Sequence, residues 1–77
     1  SDRAVEVLNN AQTAAEKIND DFPKSQALRA IASAYGQLED SDRAVEGLKK
    51  LQTAAEKIDN DSSKSWALSA IASAYGS

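Results

Sequence analysis

A chain of 77 residues with a net charge of -3 and no cysteine, histidine or methionine has narrow options. It is long enough for one small domain, and it offers no disulfide, thiolate or imidazole chemistry. The charge is mild and mixed in sign, which argues against a nucleic-acid partner, and no apolar run approaches the ~18 residues needed to span a bilayer.

In chain order, Asp2 to Ile18 reads as the first helix. Ala4, Leu8, Ala11, Ala15 and Ile18 recur at helical spacing and form its apolar stripe. Ser1 or Asp2 is placed to cap it, and Asn19-Asp20-Asp21 breaks it. The second helix spans about 22–38, with Asp21 as the expected N-cap and Phe22 and Pro23 in its first turn. Leu28, Ile31, Tyr35 and Leu38 make its stripe, flanked by alanines that let neighbouring helices approach closely. After the short link Glu39-Asp40-Ser41, a third helix is expected over about 42–58, with Ala44, Leu48, Leu51, Ala55 and Ile58 inward. Gly47 replaces Val7 there, at roughly 1 kcal/mol of helix propensity. Asp59-Asn60-Asp61 is the next break, and a fourth helix follows over about 62–75, with Leu68, Ile71 and Tyr75 on its stripe. The core has few aromatics to draw on: Phe22, Tyr35, Trp66 and Tyr75.

The third and fourth helices repeat the first and second. Between 1–37 and 41–77, 26 of 37 positions are identical, a fixed period of 40. The chain therefore reads as one domain of two repeats, 1–40 and 41–77. Such close copies point to an engineered duplication or a consensus sequence, with recent natural duplication as the alternative. The missing initiator methionine reads as a processed or excised piece.

The run Ile31–Ala44, IASAYGQLEDSDRA, resembles the tetratricopeptide repeat. That family pairs a small residue and a tyrosine late in its first helix with a turn, then an alanine early in its second. Ala32, Ala34, Tyr35, Asp40 and Ala44 stand at the matching places, and Leu48 falls where the family carries a large second-helix residue. Two departures are the period of 40, against about 34 in the family, and Glu39 in place of the turn glycine. The resemblance implies an all-α fold: αα-hairpins stacked as a short right-handed solenoid of four antiparallel helices. It also implies a concave groove, lined by the first-type helices, that binds an extended peptide or protein segment. The matching outward positions are Gln26, Arg29, Ser33 and Gln37 in one copy and Trp66, Ser69, Ser73 and Ser77 in the other. Three of these four pairs differ between copies, which fits either a recognition surface or exposed positions free to vary. Trp66 stands out, because Gln26 replaces it in the first copy and the fold does not demand it. Its alternatives are a lid on a small core, a contact to a second molecule, or a spectroscopic handle.

Catalysis is hard to seat on this chain. Without His or Cys the usual nucleophile–base pairs are missing, and no serine lies in a G-x-S-x-G or S-x-x-K arrangement. The Asp59-Asn60-Asp61 cluster starts like a calcium loop but meets Lys64 where glycine is required and Ala70 where the bidentate glutamate belongs. Helix capping accounts for these acids, so neither a metal nor a cofactor is expected. The terminal helices keep the apolar positions of the inner ones, and two repeats are few for a stable array. Homo-oligomers through the end faces are therefore expected, either head to tail with Ser77 near Ser1 of the next chain or as a two-fold dimer. A self-assembling structural unit is the alternative to a binding module.

Overall fold

The computed structural model describes residues 2–76 of the chain. It is all-helical, with α1 (Asp2–Glu16), α2 (Asp21–Gly36), α3 (Ser41–Glu56) and α4 (Asp61–Tyr75). Helix α2 packs against α1, α3 and α4, and α3 also packs against α1 and α4, while α1 and α4 do not meet. Helices of this length run roughly 22–24 Å. The three principal extents are 33 × 24 × 15 Å, so the molecule is flattened.

Three helices end two residues sooner than the apolar spacing implies. Lys17 and Ile18 donate back to the carbonyls of Ala14 and Ala15, each at 3.1 Å. Gln37 and Leu38 do the same onto Ala34 and Tyr35, and Lys57 and Ile58 onto Ala54 and Ala55. These three-residue bonds tighten the last turn and keep Ile18, Leu38 and Ile58 on the inward stripe beyond the regular helix. At the N-termini the caps differ. Asp40 accepts from the Arg43 N–H at 3.2 Å, and Asn60 from the Ser63 N–H at 2.9 Å. Asp21 is not the cap of α2, as the break suggests. Asp20 holds that place without a side-chain cap bond. Asp21 Oδ2 instead accepts from the Asn60 N–H at 2.9 Å, which ties the α1–α2 turn to the α3–α4 turn. The expected caps at Ser1 and Asp2 and the Ser1–Ser77 juxtaposition lie outside the described residues and side chains.

The core is built as the stripes of α2 and α3 require. Leu28, Ile31, Tyr35, Leu48, Leu51, Ala55, Ile58 and Ile71 are all buried in one cluster. In α1, Ala15 is buried in this cluster, and Leu8, Ala11 and Ile18 of the expected stripe pack half-buried against it, while Val5 and Gln12 are buried beside that stripe. Helix α1 packs against α2 and α3. The aromatics also divide otherwise than expected: Tyr35 is fully buried, whereas Phe22 and Tyr75 are exposed. Aliphatic side chains and alanine carry the burial.

Tyr35 explains the glycine in α3. A Cβ built on Gly47 would lie 2.2 Å from Tyr35 Cε1 and 2.4 Å from Cζ, far inside contact distance. The ring lies directly on the α3 backbone, and the propensity lost at Gly47 is the condition for it. From the far side, the Tyr35 hydroxyl donates to Asn9 Oδ1 at 2.6 Å, with Gln12 Oε1 as a second acceptor at 3.2 Å. One side chain of α2 thus joins α1 to α3. Burial pushes the Tyr35 phenol above its ordinary value.

Candidate functional site

Helices α2 and α4 face each other along a seam of small residues. Gly36 sits where an added Cβ would lie 3.3 Å from Ala74 Cβ, so its role is close approach between the two helices and not a loosened final turn. Above this seam is an open cleft of about 480 Å³. Gly36, Ala70 and Ala74, all at least half-buried, form its floor. Arg29 and Ser33 of α2, Gln37 at its C-cap, and Trp66, Ser69 and Ser73 of α4 line its sides.

Six of the sequence-derived groove residues therefore meet in one cleft. Gln26 is exposed but does not line it, and Ser77 lies outside the described residues. The geometry follows from helical spacing. Arg29 and Ser33 of α2 and its C-cap Gln37, still in helical backbone, recur every four residues, and Trp66, Ser69 and Ser73 recur at three and four on α4, so each set shares a face. The lining is mixed: Ser33, Ser69, Ser73 and Gln37 supply hydroxyl and amide groups beside Trp66 and the small apolar floor, with Arg29 its one formal charge. Such a surface can hydrogen-bond an extended backbone and pair with a carboxylate; it has no nucleophile–base pair.

Trp66 is not a free-standing anchor. Its ring stacks on Phe22 of α2 with centroids 5.4 Å apart and planes 7° from parallel. The Arg29 guanidinium carbon lies 4.1 Å from a Trp66 ring centroid. Both are favourable, through offset stacking and cation–π attraction. They hold the indole half-buried at one end of the cleft. On the side of Phe22, Trp66 also borders a second open hollow, of about 610 Å³, lined by Phe22 and the serines at the start of α4. In the other copy these three places are taken by Gln26, Ser62 and Ser69. Three differences between copies thus converge on one cluster. The sequence signals Trp66 and Arg29 as groove positions, but Phe22 as their partner appears only once α2 and α4 are known to be neighbours.

Among the described residues, no three acidic side chains converge as a metal site would require. Among the same residues, no helix is long and apolar enough to cross a membrane. No protein-family model, curated protein or solved structure matches the chain.

Proposed function

We propose that the chain is a non-catalytic helical-repeat scaffold whose α2–α4 cleft binds an extended peptide or protein segment. In this reading its two hairpins stack as a right-handed, tetratricopeptide-like solenoid. The flattened shape, the separation of α1 from α4 and the 40-residue period support the stacking. The close identity of the copies supports an engineered or consensus duplication. One observation carries the binding reading: Trp66 lines a cleft of mixed polar and apolar character, braced by Phe22 and Arg29. A braced indole loses little side-chain freedom when a ligand lands on it, and that lowers the cost of binding.

Peptide display on the immobilised chain tests the proposal, with Trp66 emission as the readout. Selected peptides are expected to change that emission and to lose affinity about tenfold or more for W66Q, as a central aromatic anchor would. Equal affinity for W66Q and R29S, the residues of the alternate copy, would remove the cleft as the site.

A further inference from the structure

The outer face of α4 and the outer face of α1 look like matching ends, and two side chains say that they are not. In α2, Ser25, Leu28, Ala32 and Tyr35 are fully buried. Their counterparts in α4 are Ser65, Leu68, Ala72 and Tyr75; all are half-buried or exposed, with Tyr75 at 41 %. The α2–α3 contact therefore shows what closes such a face. The helix that closes it has no side chain beneath the tyrosine ring, at Gly47, and one turn on carries Leu51, which is buried in the same core cluster as Leu28 and Tyr35. Helix α1 repeats α3 with both features reversed: Val7 stands at the glycine position and Ala11 at the leucine position.

We infer that the outer face of α4 is a docking face for a helix of the α3 pattern on another polypeptide, and that Val7 and Ala11 disqualify the chain's own α1. If a second copy placed α1 on α4 as α3 lies on α2, the first carbon of the Val7 side chain would enter the space of the Tyr75 ring, as a Cβ at Gly47 would enter that of Tyr35. One turn away, the alanine would leave unfilled the volume that Leu51 occupies. A clash and a void fall on adjacent turns, so head-to-tail propagation in the register of the repeat is opposed twice. Val7 itself is 58 % exposed, so most of its bulk faces outward rather than into the chain's own core.

The probe is the same chain rewritten at α1. V7G/A11L gives α1 the α3 pattern, and sedimentation velocity over a hundredfold concentration range compares it with the unaltered chain. V7G/A11L is expected to associate more strongly with rising concentration, and Y75A added to it is expected to abolish the gain. V7A/A11L keeps a good helix former at position 7 and is expected to stay at 8.2 kDa with the unaltered chain, because the Cβ alone is the obstruction. Association of the unaltered chain through α1 would overturn the inference. So would association of V7A/A11L, or a V7G/A11L chain that is helical by circular dichroism and remains monomeric.

Discussion

Helices α2 and α4 carry the same decapeptide apart from Arg29 and Ser69, yet they live in different surroundings. Helix α2 has neighbours on three sides and buries Tyr35 completely, with its hydroxyl bonded to α1 and its ring on α3. Helix α4 touches only α2 and α3, and its Tyr75 is 41 % exposed. The lesson is that the apolar stripe marks a capacity for burial, and the number of neighbours decides how much is used. Hydrophobic stabilisation scales with area removed from water, so identical residues contribute unequally.

Truncating each tyrosine breaks the comparison most sharply. Y35A is expected to cost about 3–5 kcal/mol, as loss of a large buried ring does. In a domain this small that leaves much of the population unfolded, since net stability is itself about 3–5 kcal/mol. Y75A is expected to cost about 1 kcal/mol or less. Urea melts followed by far-ultraviolet circular dichroism measure both, and equal losses would contradict the difference in coverage.

The glycine position gives the next largest effect. G47A is expected to destabilise by about 1–3 kcal/mol, although alanine is the better helix former by about 1 kcal/mol. V7A, at the equivalent place in α1, is expected to be neutral or to stabilise by a few tenths of a kcal/mol. The same new residue then acts with opposite sign in two copies of one helix, read from the midpoints of the same melts.

Removing only the hydroxyl is a finer probe. Y35F leaves the Asn9 and Gln12 oxygens without their donor and is expected to cost about 1 kcal/mol, while Y75F is expected to cost nothing measurable. The phenol also sets a pH dependence. Its folded value is raised above that of the unfolded chain, so the stability it contributes is complete below about pH 10, the unfolded value. That contribution is lost as pH rises through the folded value. The alkaline fall in urea midpoint should therefore be shallower in Y35F than in the parent chain. A loss of similar size to that of Y35F is expected at Trp66, where W66Q should cost about 0.5–1.5 kcal/mol by losing the Phe22 stack while the helices persist.

These positions also show what the sequence made legible. Leu28, Ile31, Leu48, Leu51 and Ile58 declare themselves through spacing, because a helical stripe is a property of one segment. The six cleft residues were legible through the resemblance and the period. Gly47, Asn9 and Gln12 were not, since their roles depend on where a ring from another helix comes to rest. Gln12 in particular reads as surface and is buried as the Tyr35 partner. The Phe22–Trp66 stack and the Asp21–Asn60 bond escaped for a similar reason: each joins residues about forty apart that only the packing of the two hairpins brings together.

Hydroxyl-radical footprinting of the chain at low concentration, read by mass spectrometry at its two tyrosines, tests the unequal coverage of α2 and α4 most directly. Oxidation at Tyr75 should run well ahead of oxidation at Tyr35. Equal rates, or faster reaction at Tyr35, would mean that the two helices are covered alike and that the account is wrong.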